Sequence, residues 1–128
     1  MIVSQRDKFF HLLDKFSQLF QVMAIASLLI ILIFSLRPLV DMGTIPHTDK
    51  AVHLVAYGVL AGLVRLGWPK LWGGTIFIGL ALFGIGIEFA QHFMALGRTG
   101  SLADMLANML GAALALIIFH IFWTRHRR

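Results

Sequence analysis

The chain has 128 residues, of which 59% are hydrophobic and 13% are charged. Soluble domains average about 45–50% apolar and about 25% charged residues, so this composition excludes an ordinary soluble fold and favours folding within a lipid bilayer. The formal net charge of +5 does not indicate a nucleic-acid partner, because the basic residues lie at the ends of apolar runs. Cysteine is absent, which excludes disulfides and thiolate metal sites.

A short amphipathic stretch precedes the first long apolar run. Its hydrophobic residues recur at helical spacing, and charged residues occupy positions between them. The apolar side consists of Phe9, Leu12, Leu13, Phe16, Leu19 and Phe20, and the polar side of Arg6, Asp7, Lys8 and Lys15. This pattern predicts a short amphipathic N-terminal helix at the membrane surface that leads into the first span.

Four apolar runs are candidates for membrane-spanning helices. A bilayer core needs about 20 mostly apolar helical residues, with about 17–25 the usual range. The run between Lys15 and Arg37 meets this length, and no signal-peptide cleavage pattern follows it. The run between Lys50 and Arg65 is shorter, but these side chains can extend toward the interface, and Trp68 is an interfacial residue type. The predicted architecture is an all-α, integral membrane four-helix bundle in one domain over 1–128, with spans at about 16–36, 51–68, 71–93 and 103–123.

The distribution of lysine and arginine predicts the orientation of the spans, because cytoplasmic flanks carry the excess of these residues. Eight of them lie on the side that holds both termini, whereas three, Arg37, Lys50 and Arg98, lie on the opposite side. We therefore expect both termini to be cytoplasmic. The polar loops that join the first span to the second and the third to the fourth should face outward.

Polar residues within the spans cluster near the predicted outer boundary. They are Asp49, Lys50, His53 and Tyr57 at the start of the second span, Glu88 and Gln91 near the end of the third, and Asp104, Asn108 and Gly111 at the start of the fourth. A rise of 1.5 Å per residue places Tyr57, Glu88 and Asn108 within roughly 10 Å of the outer boundary. Ionisable groups in spans are costly and face the bundle interior or a wet cavity. The three sets are therefore expected to converge in an outward-facing polar pocket.

Two further residues lie close to these sets, one as a charge partner and one as a helix cap. Arg98, in the second outer loop, is a cation that can pair with Glu88 or Asp104. Ser101 precedes Asp104 by three residues, the spacing of a helix N-cap, and is a candidate cap for the fourth span.

The same polar residues also allow a purely structural interpretation. Buried polar groups must be satisfied, and Asn108 with Gly111 fits close helix packing better than ligand binding. For Glu88 the structural and functional interpretations are balanced, because an apolar residue would pack there at a lower desolvation cost. His53 and Tyr57 favour function, since together they offer a titrating group and a hydrogen-bond donor at a shallow depth.

Two sequence stretches, DKAVHLVAY from Asp49 and EFAQHFMALGRTGSLADMLANMLG from Glu88, together resemble the VanZ-like family of bacterial membrane proteins. The matching positions are Asp49, Lys50, His53, Tyr57, Glu88, Gln91, Arg98, Asp104, Asn108 and Gly111. Ala115 stands where many members have a second glycine, and the first span carries no family pattern. The resemblance implies a multi-pass protein of the bacterial cytoplasmic (inner) membrane, in a family named for tolerance of the glycopeptide antibiotic teicoplanin.

Three functions fit these residues. In the first, the pocket binds or remodels an amphipathic envelope molecule, such as a lipid-linked cell-wall precursor or a lipoglycopeptide. Lys50 and Arg98 would hold an anionic head group, and the full ligand-binding set is Asp49, Lys50, His53, Tyr57, Glu88, Gln91, Arg98, Asp104 and Asn108. In the second, the protein is a membrane-embedded enzyme whose catalytic candidates are Glu88, Asp104 and His53. In the third, it is a structural or assembly subunit.

Neither a cofactor nor a metal ion is expected. His53 with Asp49, and His92 with Glu88, are pairs four residues apart on a helix, but the lysine and arginine nearby would repel a cation. The expected partners are membrane lipid and a lipid-linked or glycopeptide ligand. Self-association is compatible with the sequence.

Overall fold

The computed structural model of the protein describes residues 5–37, 48–94 and 101–127. These ranges contain no β-strand and form five helices: α1 Gln5–Lys15, α2 Ser17–Ser35, α3 Thr48–Gly67, α4 Gly73–Met94 and α5 Leu102–Arg127. The all-α class predicted from the sequence is confirmed.

The first helix, α1, is the short helix predicted ahead of the first span, and it joins α2 almost without a break. Only Phe16 separates the two helices, and its N–H group donates to the carbonyl oxygens of Leu12 and Leu13, both at 3.2 Å. The N–H of Phe20 in turn donates to the Phe16 carbonyl oxygen at 3.1 Å. The backbone therefore keeps helical hydrogen bonds through the junction.

Each of the other four helices is long and apolar enough to cross a bilayer, over Ser17–Ser35, Asp49–Gly67, Gly73–Met94 and Leu102–Arg125. All four expose large hydrophobic side chains, among them Ile33, Val55, Leu82 and Ile118. Such surfaces are disfavoured in water and accommodated by the hydrocarbon of a membrane, where helices also satisfy their own backbone groups. The structure confirms the predicted integral membrane four-helix bundle.

Helix α3 lies at the centre of the bundle. It contacts α2, α4 and α5, and its contact with α5 is the most extensive. Leu60 and Ala61 on α3 are completely buried. A Cβ atom added to Gly58 on α3 would lie only 3.3 Å from the carbonyl oxygen of Gly111 on α5. Small residues let two membrane helices approach closely, so the small residues predicted on the fourth span pack against α3.

The two ends of the bundle differ in polarity. At one end, the Arg65 guanidinium donates from Nη1 to the carbonyl oxygens of Pro69 at 2.9 Å and Leu71 at 2.7 Å, and it lies 5.6 Å from the ring centroid of Trp123. Arg65 therefore connects the turn between α3 and α4 with α5. The opposite end, where α2 and α4 end and α3 and α5 begin, is called the polar end below.

Candidate functional site

The buried polar side chains of the described residues are concentrated at the polar end. Glu88 and Asn108 are each 2% exposed, Gln91 is 4% exposed and Ser35 is 7% exposed. Burying a polar group costs free energy unless it finds a hydrogen-bond partner, so each of these residues must be explained by its contacts.

The start of α3 is joined to the start of α5 by two polar contacts. The ring nitrogen Nδ1 of His53 lies 3.1 Å from the amide oxygen of Asn108. One turn nearer the end of the bundle, the Lys50 ammonium lies 3.8 Å from an Asp104 carboxylate oxygen and 3.7 Å from an Asp49 carboxylate oxygen. The polar sets predicted at the start of the second span and at the start of the fourth span therefore contain direct neighbours.

Glu88 connects the end of α4 to the first turn of α5. Its Oε2 atom accepts a hydrogen bond from the backbone N–H of Ser101 at 2.8 Å. The Ser101 carbonyl oxygen accepts from the N–H groups of Asp104 at 3.0 Å and Met105 at 3.1 Å, which starts the helix. Ser101 thus occupies the position predicted for the N-cap, and the Glu88 carboxylate satisfies its backbone donor.

The expected pairing of Arg98 with Glu88 or Asp104 stays a prediction. Arg98 lies outside the described residues. Within the described part of the chain, the cation beside Asp104 is Lys50, which is itself shared with Asp49.

Gln91 links α4 to α2 through a residue that the sequence analysis did not single out. Its Nε2 atom donates to the Ser35 carbonyl oxygen at 2.8 Å. Ser35 ends the stripe Ala24, Leu28, Ile31 and Ser35, whose spacings of four, three and four are those of one helical face. Ala24, Leu28 and Ile31 pack in the core, so this spacing was the signal that could have placed Ser35 inside the bundle.

Replacing Gln91 with leucine is expected to destabilise the protein by about 0.5–1.5 kcal/mol, the net value of one hydrogen bond. The change keeps a side chain of similar size but leaves the Ser35 carbonyl oxygen without its side-chain donor. Thermal unfolding in detergent micelles, followed by tryptophan fluorescence, measures the effect. Gln18→Leu is the matched control, because Gln18 is exposed on α2. Equal melting temperatures for the two variants would contradict a stabilising role for the Gln91 contact.

A glycine on α4 lets that helix lie close to Tyr57 and Asn108. A Cβ atom added to Gly84 would lie 3.1 Å from Asn108 Nδ2 and 3.2 Å from the Tyr57 hydroxyl oxygen. The Tyr57 ring centroid lies 6.2 Å from that of Phe83. Tyr57 is 1% exposed, and its hydroxyl group has no hydrogen-bond partner among the described residues.

A cavity of about 340 Å³, named here the α2–α3 cavity, opens between α2 and α3 near the polar end. Its lining residues are Ile30, Ile31, Phe34, Ser35, Val52, His53, Ala56 and Tyr57. Five of these are purely apolar and three carry a polar group. Ile30, Phe34 and Val52 are more than half exposed, so the cavity opens on the lipid-facing side of the bundle.

A second cavity, of about 250 Å³, is lined by Glu88, Phe89, His92 and Met105 of α4 and α5. Glu88 and His92, the two residues considered above as a metal-binding pair and set aside, both line it. Among the described residues, no three histidine or acidic side chains come together in a way that would hold a metal ion.

The apolar surface of four spanning helices, with polar side chains buried at one end, defines a multi-pass helical membrane protein. The family model for VanZ/LLP1 matches residues 3–123, nearly the whole chain, and the chain therefore belongs to the VanZ/LLP1 family. This confirms the resemblance found in the second to fourth spans and extends it over α1 and α2. No curated protein and no solved structure matches the chain.

Proposed function

We propose that the protein binds an amphipathic molecule of the bacterial cell envelope, either a lipid-linked cell-wall precursor or a lipoglycopeptide. The observation that supports this function is the α2–α3 cavity, in which apolar walls meet the polar groups of His53, Tyr57 and Ser35. Ligand pockets are typically about 300–1,000 Å³, mostly apolar, with a few polar groups that orient the ligand. The cavity has this size and this composition.

The chemistry of the walls matches a molecule with a hydrocarbon part and a polar part. Ile30, Ile31 and Phe34 of α2 face Val52 and Ala56 of α3 across the cavity. A hydrocarbon chain of the ligand would lie between these side chains, where it replaces membrane lipid. The polar part would lie toward His53, whose ring is held by Asn108.

Recognition of an anionic head group depends on the cations available at the polar end. Lys50 is close to two carboxylates, Asp49 and Asp104, so its positive charge is largely compensated within the protein. In our proposal Arg98 therefore provides most of the attraction for an anionic head group, and Lys50 adds a hydrogen-bond donor.

The proposed location is the bacterial cytoplasmic (inner) membrane, with both termini in the cytoplasm and the polar end facing outward. The excess of lysine and arginine at the opposite end supports this orientation. The outer surface of that membrane is where lipid-linked precursors are used and where a lipoglycopeptide arrives. In our proposal, binding of either molecule there contributes to glycopeptide tolerance.

Binding is tested with purified protein in lipid nanodiscs and two probes, fluorescent teicoplanin and a polyprenyl-diphosphate-linked disaccharide pentapeptide. We expect the unsubstituted protein to bind one or both, and His53→Phe to bind about twofold to tenfold more weakly, the loss expected for one hydrogen bond. His120→Phe is the matched control, because His120 is exposed on α5 near the opposite end. Affinities are compared well below the melting temperature of each variant.

The outcomes separate the candidate functions. Failure of the unsubstituted protein to bind either probe would refute the proposal. Equal weakening by His53→Phe and His120→Phe would place the ligand outside the α2–α3 cavity. In cells with equal membrane amounts of protein, the same His53→Phe change should reduce teicoplanin tolerance.

A membrane-embedded enzyme is the second candidate, supported by the cavity that joins Glu88 and His92. A carboxylate and an imidazole four residues apart can act as an acid and a base. This function predicts that the precursor probe is converted to a product by the unsubstituted protein. It also predicts that Glu88→Gln still binds the probe without converting it.

A further inference from the structure

The contact between His53 and Asn108 determines which ring nitrogen of the histidine carries a proton. Nδ1 of His53 lies 3.1 Å from Oδ1 of Asn108, and an amide oxygen can only accept. Nδ1 must therefore carry the hydrogen and donate it. In the neutral ring, Nε2 is then left with a lone pair and can only accept.

The Asn108 amide group is tightly packed between α3 and α4. Nδ2 of Asn108 is turned toward Gly84 and Tyr57: a Cβ at Gly84 would lie 3.1 Å from Nδ2 and 3.2 Å from the Tyr57 hydroxyl oxygen. Asn108 is 2% exposed, so packing holds the amide in place.

His53 lines the α2–α3 cavity, and its Nε2 atom makes no hydrogen bond to a described residue. We propose that Asn108 is a positioning residue that holds His53 as the Nδ1–H tautomer, so that Nε2 accepts a hydrogen bond from a hydroxyl group on a chain-bearing ligand in the α2–α3 cavity. This inference rests on the proposed function, in which the cavity binds an amphipathic molecule, and it defines the chemistry of that molecule.

The cavity restricts the ligand to a hydrocarbon chain with a donor near its polar end. A volume of about 340 Å³ holds on the order of ten water-sized groups, which is enough for one short chain segment. The apolar side chains of Ile31, Phe34 and Ala56 offer no hydrogen-bonding group, so the ligand is selected by the polar residues of the lining, among which His53 supplies the acceptor Nε2. Two sources share this chemistry, a membrane lipid alcohol such as diacylglycerol and the sugar hydroxyls of a lipid-linked precursor.

Nitrogen-15 NMR of histidine-labelled protein in lipid bilayers tests the tautomer directly. At alkaline pH, where imidazoles are neutral, we expect His53 to show a protonated Nδ1 and an unprotonated Nε2. The His53 signals are assigned by their loss in His53→Gln. Asn108→Leu should shift the ring toward the Nε2–H tautomer, and Asn108→Asp, which keeps an acceptor oxygen, should preserve Nδ1–H. A protonated Nε2 in the unsubstituted protein would overturn the inference, whatever the stability of the variants.

A pair of probes tests the ligand chemistry. Dodecan-1-ol carries a donor hydroxyl, and its methyl ether keeps the chain and the oxygen but loses the donor. We expect the alcohol to shift the Nε2 resonance saturably and to bind about fivefold more tightly than the ether, the difference made by one hydrogen bond of about 1 kcal/mol. His53→Phe should abolish that preference. Equal binding of the two probes to the unsubstituted protein would overturn the inference.

Cavity-filling variants test whether dodecan-1-ol binds in the α2–α3 cavity. Ala56→Leu narrows the α2–α3 cavity and should weaken dodecan-1-ol binding, whereas Ala26→Leu, at an exposed site on α2, should not. Equal effects of the two changes would contradict binding in the cavity. A competition experiment identifies the source of the hydroxyl. Diacylglycerol is added in one arm and the precursor probe in the other, and the source is the molecule that displaces dodecan-1-ol.

The inference and the proposed function can fail separately. A shift of His53 Nε2 by diacylglycerol, without binding of teicoplanin or the precursor, would support the hydroxyl site and refute the envelope function. Binding of the precursor or teicoplanin with no change at His53 Nε2 would support the envelope function and refute the hydroxyl site.

Discussion

Gly111→Ala is expected to lower the stability of the bundle strongly, by about 1–3 kcal/mol or more, the range for overpacking a well-packed core. A Cβ atom added at Gly111 would overlap the carbonyl oxygen of Leu54 and lie 2.9 Å from its carbonyl carbon. Both atoms belong to the backbone of α3, so no side-chain rotation can relieve the overlap. Helix α5 would have to move away from α3 along its most extensive interface.

Thermal unfolding in detergent micelles measures this loss, with Gly79→Ala as the matched control. A Cβ atom at Gly79 meets nothing within 4 Å, although Gly79 also lies within a spanning helix. The control should match the unsubstituted protein or exceed its stability by roughly 0.5–1 kcal/mol, because alanine is the better helix former. If Gly111→Ala melted at the same temperature as Gly79→Ala, the close contact of α5 with Leu54 would be refuted.

Glu88→Ala should produce the second large effect, a loss of about 1.5–3 kcal/mol, the value of a hydrogen bond to a charged group. The Glu88 carboxylate is 2% exposed and accepts from the backbone N–H of Ser101 at 2.8 Å. Its removal takes away the acceptor that holds the first turn of α5 to the end of α4. It also leaves unfilled space beside the second cavity, which Glu88 lines.

Glu88→Gln distinguishes the hydrogen bond from the charge. Glutamine keeps a carbonyl oxygen that can accept from Ser101, and a neutral hydrogen bond is about half as strong as a charge-assisted one. We therefore expect roughly half the loss caused by Glu88→Ala, measured by the same unfolding experiment. Asp14→Ala is the control for removal of an acidic residue, since Asp14 is exposed on α1. A loss as large as that of Glu88→Ala would show that the charge itself is required, as in the ion pair with Arg98 expected from the sequence.

Glu88 at the polar end can have a structural role, a functional role or both. The sequence is equally compatible with a structural and a functional role for Glu88, and the contact of Glu88 with Ser101 is structural. Glu88 also lines the second cavity beside His92, which is compatible with a catalytic role. A Glu88→Gln variant that stays folded is therefore the one in which binding and conversion of the precursor probe should be measured.

The number of spans and the family could be predicted from the sequence alone. Apolar runs of sufficient length can satisfy their backbone only as helices in a bilayer, so the run lengths between Lys15 and Arg125 sufficed to predict four spans. His53 and Tyr57 are four residues apart, a spacing that puts both on one helical face, and both line the α2–α3 cavity. The convergence of polar residues was predictable because alternate helix ends meet at the same side of an up-and-down bundle.

The partner of each polar group was decided by the tertiary structure. Nothing in the local pattern distinguishes Lys50 from Arg98 as the cation beside Asp104, or predicts that Gln91 donates to the Ser35 backbone. Spacing along a helix determines which face is buried, whereas the neighbour of that face depends on how closely the helices pack. Here Gly84 and Gly111 set those distances, because a missing Cβ lets one backbone approach another. The α2–α3 cavity likewise depends on tertiary structure, because its walls come from two different helices.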